Sequence, residues 1–175
     1  MSISIPLNGL LDYSDHERAK WRQWLTENPA RLQLPLQGAG RFPTVAALLD
    51  HIFLVERRHL SRLEGGTPAD STGVTVGDVG GLFEYAALVR ADFRRYLAET
   101  SDATAAETMT ITIQGNSFSM SRRRLATHIL LHEVRHLAQL ALAARLAGQD
   151  PPGEHDLFYF AFEESGLRNQ ESGLG

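Results

Sequence analysis

Cysteine is absent from the 175 residues. That excludes a disulfide framework, a thiolate metal ligand and a cysteine nucleophile, so any thiol chemistry must take its sulfur from outside the chain. Long apolar runs are missing too. No stretch approaches the roughly 18 apolar residues of a membrane span, and Met1-Ser2-Ile3-Ser4-Ile5-Pro6 lacks the basic region and apolar core of an export signal. A cytoplasmic protein without membrane contact is expected. Positive charge is not in excess, because the formal net charge is -4. The one basic run, Arg122-Arg123-Arg124, has no interleaved aromatics and reads as a salt-bridged helix start rather than a nucleic-acid surface.

What is present is ordinary for a globular chain: 43% apolar and 22% charged residues, with no repeat or low-complexity tract. The length suits one domain that buries its core without disulfide or metal staples. We expect that domain over residues 1–165 and a flexible tail over 166–175.

Four segments have helical spacing. Leu7 to about Thr26 carries Leu7, Leu10, Leu11, Trp21, Trp24 and Leu25 and closes at Asn28-Pro29. After a loop in which Leu32, Leu34 and Leu36 alternate, a second helix starts near Pro43-Thr44 and runs to Gly65-Gly66. Thr75 with Asp78 reads as a capping box for a third, about Asp78 to Ala98. Between Thr108 and Met120 the period changes to two, with Gly115-Asn116 at the turn, which predicts a small β-hairpin. A long helix follows from Leu125 to Leu146, capped by Ser121 or Ser119 and stopped by Gly148 and Pro151-Pro152. His155 to Glu164 reads as a short C-terminal helix. The fold class is therefore all-α: a four-helix bundle with a hairpin before the last long helix.

That last helix carries the chemistry. Each residue advances about 100°, so His128, His132 and His136 drift only about 40° per step and share one stripe. Leu125, Ile129 and Leu140 lie on or beside it, which places the imidazoles among core-facing positions. Buried imidazoles need partners, and a metal satisfies several at once.

Three site readings use the same residues. In one, His132 and His136 form a chelating pair that His51, on the second helix, completes as a three-histidine site with open positions. In another, His132-Glu133-Val134-Arg135-His136 is the H-E-x-x-H string of a zinc peptidase, although Gln139 and Leu142 replace the Gly and His of the extended motif. In the third, Glu56 with His59 and Glu133 with His136 form paired Glu-x-x-His motifs of a di-iron bundle, with Glu17 and Glu84 as the further carboxylates. Beside these, Gln139 and His128 are pocket or supporting candidates. Arg58 and Arg62 lie close to the His51 stripe and read first as a solvated helix end, with reception of a carboxylate-bearing substrate as the alternative. Glu133 is the candidate base, or else simply holds an arginine. A second apolar stripe, Leu130, Val134, Leu137 and Ala141, faces away from the histidines and is open to cover by the hairpin, the aromatic tail or a second subunit.

Leu48-Leu49-Asp50-His51-Ile52 with Glu56-Arg57, then Thr127-His128 through His132-Glu133-Val134-Arg135-His136-Leu137-Ala138-Gln139, then Leu146-Ala147-Gly148, resembles the DinB-like (YfiT-like) superfamily of metalloenzymes. The resemblance runs from the first helix to Asp156-Leu157-Phe158-Tyr159. It implies a four-helix bundle, often a homodimer, holding a divalent metal through His51, His132 and His136. Zinc or nickel is the metal implied first, with iron or manganese as alternatives. Members act as metal-dependent thiol S-transferases or as a thiol-dependent isomerase, and many have no assigned reaction. The implied partners are a small-molecule substrate and a low-molecular-weight thiol. The family ending His-Arg-Gly-Gln reads His136-Leu137-Ala138-Gln139 here and keeps only the glutamine. The reading from another class is a non-catalytic metal- or ligand-binding bundle.

Overall fold

In the computed structural model the apolar faces of the long helices converge on a shared core. The structure describes residues 7–36, 42–75 and 77–160. The helices are α1 (Leu7–Glu27), α2 (Val45–Leu63), α3 (Val79–Glu99), a short α4 (Asp102–Ala106) and α5 (Arg122–Leu146); a hairpin, β1 (Thr108–Ile113) and β2 (Asn116–Ser121), precedes α5.

The starts are set by side-chain caps that satisfy first-turn amides. Thr44 accepts from Ala47 N, Asp78 from Gly81 N, and Ser121 from Arg124 N. Asp78 is thus itself the cap of α3, rather than the fourth position of a box opened at Thr75. Capping at Ser121 starts α5 three residues ahead of Leu125.

α1 packs on α3 and α5, and α2 packs on the same two helices. The ring order is therefore α1, α3, α2, α5. One half of the core gathers Trp21, Leu25, Leu49, Phe53, Phe83 and Leu140; the other gathers Leu11, Leu60, Phe93, Leu125 and Ile129 against Ile111 of the hairpin. Ile113 pairs with Asn116, so the turn is Gln114-Gly115, one residue earlier than Gly115-Asn116. Both turn residues have positive φ, 50° and 80°, as a two-residue hairpin turn matched to strand twist requires.

Beyond α5 the chain returns along α1. Trp24 Nε1 donates to Asp150 O at 2.8 Å, His155 Nδ1 meets Glu17 Oε2 at 2.5 Å, and the His155 ring stacks on Trp21. Up to Phe160 the expected C-terminal helix is a single 3-10 turn, Leu157–Tyr159. Its remainder to Glu164, and the tail over 166–175, lie outside the described residues. No helix among the described residues is long and apolar enough to cross a membrane.

The stripe of Leu130, Leu137 and Ala141 is buried in the chain's own core, and only Val134 of that set is exposed. The large apolar residues that α5 leaves outside are Leu131, Val134, Leu142 and Leu146.

Candidate metal centre

α2 lies along α5, and His51 meets the histidine stripe there. His51 Nε2 stands 3.2 Å from His132 Nε2, and His136 Nε2 stands 3.1 Å from the same atom. Within the described residues, these three form the one group with metal-ligand geometry, their ligand atoms all within 4.8 Å of one another. Nitrogens bonded to tetrahedral zinc at about 2.0–2.1 Å stand about 3.3 Å apart, so the donor set has the right spacing for such an ion.

Protonation fits as well. His136 Nδ1 donates to Gln139 Oε1 at 2.6 Å, because a carbonyl oxygen only accepts, and Nε2 therefore keeps its lone pair. Burial, then the charges of His136 and His51, drive the His132 imidazole down to about 3, so it is neutral at pH 7. Hydrogen bonding alone would have to share one His132 proton between two acceptors. A cation that takes three lone pairs suits the arrangement better. Phe42 supplies an apolar wall, its ring centroid 4.5 Å from that of His51 and 5.9 Å from that of His136.

The other site candidates fall as follows. Gln139 joins the cluster through His136. His128 stands one turn along the stripe, exposed, 5.8 Å from the His132 ring and 5.4 Å from that of His59. Arg58 is committed to the loop after α2, donating to Ala69 O at 2.7 Å and Asp70 O at 2.9 Å. The histidine stripe runs along the edge of the buried face of α5, not its centre.

The centre belongs to Glu133, which is 2% exposed and points into the bundle. Its carboxylate accepts from Arg18 Nε at 2.5 Å, Arg18 Nη2 at 3.0 Å, Arg90 Nη2 at 2.7 Å and Ser14 Oγ at 2.6 Å. Glu56 completes the cluster, ion-paired with Arg18 and, at 3.0 Å, with Arg90. Each long helix thus gives one charge: Arg18 from α1, Glu56 from α2, Arg90 from α3 and Glu133 from α5. Burial alone would raise the Glu133 carboxyl, but the two guanidiniums and the hydrogen bonds from Arg18 and Ser14 bring it down to about 2.

This cluster separates the residues that the peptidase and di-iron readings need together. Glu133 points to arginines at the centre of the buried face of α5, away from the imidazoles at its edge, and Glu56 does the same on α2. Glu17 is engaged by Lys20 and His155, Glu84 is exposed, and His59 pairs with His128 rather than with His136.

Acid should loosen the metal-free protein in two stages. Burial, then Arg62 and His128, lower His59 to about 4. An unfolded histidine titrates near 6.5, so between those values the unfolded chain binds more protons and stability falls as pH falls; above about 6.5 the contribution is complete. It is worth at most about 3 kcal/mol. Glu133 adds a second loss between about 4.5 and 2. In urea unfolding of metal-free protein between pH 7 and 3, His59→Gln is expected to reduce the first stage, to which His132 also contributes, and leave the second.

A family model described as the DinB family matches residues 3–167. No curated protein matches the chain.

Proposed function

The chain belongs to the DinB family, and on that footing we propose that it is a divalent-metal-dependent enzyme that activates water or an external thiol, of the S-transferase or hydrolase type. The observation that carries this reading is the convergence of His51, His132 and His136, with three Nε2 atoms at metal-ligand spacing. Three protein ligands leave a position open, as in catalytic rather than structural sites. A divalent ion held there, with zinc or nickel first and iron or manganese as alternatives, supplies Lewis acidity and lowers the proton affinity of the water or thiol it meets.

The chain's own residues do the rest. His51, His132 and His136 bind and orient the ion. Gln139 fixes the His136 tautomer and ring plane. Phe42 excludes water from one side. Glu133 holds α5 in register through Arg18 and Arg90, a positioning role. Because the chain has no cysteine, the thiol is a low-molecular-weight co-substrate. A second copy of the chain would find its apolar seat on the Leu131, Val134 and Leu142 face of α5.

Two experiments test this. Cobalt-loaded protein is expected to develop a thiolate-to-cobalt absorption band when 2-mercaptoethanol is added, and none with ethanol; an unchanged spectrum would mark a closed, non-catalytic site. Gln139→Leu is expected to weaken metal binding 10–100-fold, as loss of outer partners does, while keeping the same stoichiometry at saturation. Competition with a chelating indicator reads that shift.

A further inference from the structure

The seam between α2 and α5 continues past the three ligand histidines. On α2, Arg58 and Arg62 follow His51 by about two and three turns and stay on its stripe; on α5, His128 and Arg124 precede His132 by about one and two turns. His51 faces His132 and His59 faces His128, so both rows leave the metal centre in the same direction. The rings mark the way. Centroids of His132 and His128 are 5.8 Å apart, those of His128 and His59 5.4 Å, and His59 Nδ1 accepts from Arg62 Nη1 at 3.4 Å.

The charges along this seam have one sign. Arg57, Arg122 and Arg123, which neighbour it in sequence, each pair with an acid: Asp92, Glu107 and Asp102. Arg58, Arg62 and Arg124 have no carboxylate within ion-pair distance among the described residues, Glu64 and Asp70 included. Burial and then the cations Arg62, His128 and Arg58 lower His59; burial and Arg124 lower His128; burial and Arg58 lower Arg62. No anion contributes to any of the three. Arg58 spends its donors on Ala69 O and Asp70 O, and Arg124 is exposed. Arg62 is half-buried, keeps accessible surface, and makes only the long contact to His59 among the described residues. A partly desolvated guanidinium with no counter-charge suits an acceptor that arrives with a ligand, and its planar fork matches a carboxylate.

We propose that the molecule activated at the three-histidine centre carries a carboxylate several bonds from its reacting atom, and that Arg62 receives this carboxylate. The intervening chain lies along the seam past His128. This rests on the metal reading above and adds to it the class of molecule: a linear organic acid, with sulfur or oxygen at the metal end. His59 is a positioning residue, since its Nδ1 holds one arm of the Arg62 fork.

The test follows the thiolate-to-cobalt band of cobalt-loaded, full-length protein during titration with 6-mercaptohexanoate, 6-mercaptohexan-1-ol and thioglycolate, the last too short to span the seam. The long mercapto-acid is expected to half-saturate at least about tenfold below the alcohol of equal length, the effect of one charge-assisted hydrogen bond. Thioglycolate is expected to show no such advantage over 2-mercaptoethanol. Arg62→Gln is expected to remove the preference without changing metal content or binding of the alcohol, and Arg62→Lys to keep part of it. Equal half-saturation by long acid and alcohol, an equal advantage for thioglycolate, or a preference that survives Arg62→Gln would overturn the proposal. A band with none of the thiols would instead count against the metal reading. Amide-resolved NMR of metal-free protein then decides the proposal separately: hexanoate, and not hexanol, is expected to shift amides around residues 58–63 and 124–128. Absence of those shifts, or their persistence in Arg62→Gln, would overturn it.

Discussion

His132→Ala is expected to give a folded bundle that holds no metal. His132 Nε2 is the common neighbour of the other two ligand atoms, at 3.2 and 3.1 Å. Removing it leaves two imidazoles on different helices with no shared nitrogen between them. Loss of an outer partner alone weakens metal sites 10–100-fold, so loss of the central ligand is expected to cost at least about 1000-fold. The fold should barely notice, because the imidazole is neutral, sits at the edge of the core and leaves no charge unpaired; a change within about 1 kcal/mol in the metal-free protein is expected. Elemental mass spectrometry and urea unfolding on the same samples separate the two effects. Metal retained at wild-type stoichiometry would show that the ligands lie elsewhere.

Glu133→Gln is expected to do the reverse. The amide keeps the size of the carboxylate but not its charge, and its NH2 group faces donors that need an acceptor. Arg18 and Arg90 are then held in the core against Glu56, with only Asp15, at 3.4 Å from Arg90 Nε, beside it. Breaking one partner out of a buried ion pair costs about 3–5 kcal/mol, because a charge is left uncompensated. The midpoint of urea unfolding is expected to fall accordingly, while the protein that remains folded still binds metal in the wild-type ratio. A catalytic base would behave differently: Glu133→Gln would then be as stable as wild type and merely inactive. The four donors around the carboxylate speak for the first outcome.

The helices and the histidine pair were legible because both are local. A proline-free run with imidazoles four residues apart can only be a helix that shows them on one face, and Thr44, Asp78 and Ser121 cap at the places where their side chains can reach a first-turn amide. The third ligand, His51, came from a different helix, and spacing alone left three ligand sets open. The buried ion cluster was misread. His51 sits at the edge of the buried face of α2 and Glu56 at its centre, so the ligand histidine does not mark the inward direction of that helix.

A signal for the cluster was present. Leu11, Ser14, Arg18, Trp21 and Leu25 on α1 follow core spacing with a charge in the middle, and so do Phe83, Ala86, Arg90 and Phe93 on α3. One charge in the core row of each long helix, two of each sign, balances within the bundle. No single helix reveals that, since the partners are 34 to 115 residues apart in sequence. The short α4 and the 3-10 turn at Leu157–Tyr159 carry local caps, Ser101 and Asp156, but bury no residue, so no apolar spacing marks them.

The most direct measurement is the metal content of wild-type protein purified without a histidine tag and with no metal added, by elemental mass spectrometry with protein quantified by amino-acid analysis. About one divalent ion per chain, with X-ray absorption showing nitrogen ligation from three imidazoles, is the expected result. A metal-free protein that also fails to take up zinc or nickel on titration, or one that carries two irons per chain, would contradict a three-histidine centre.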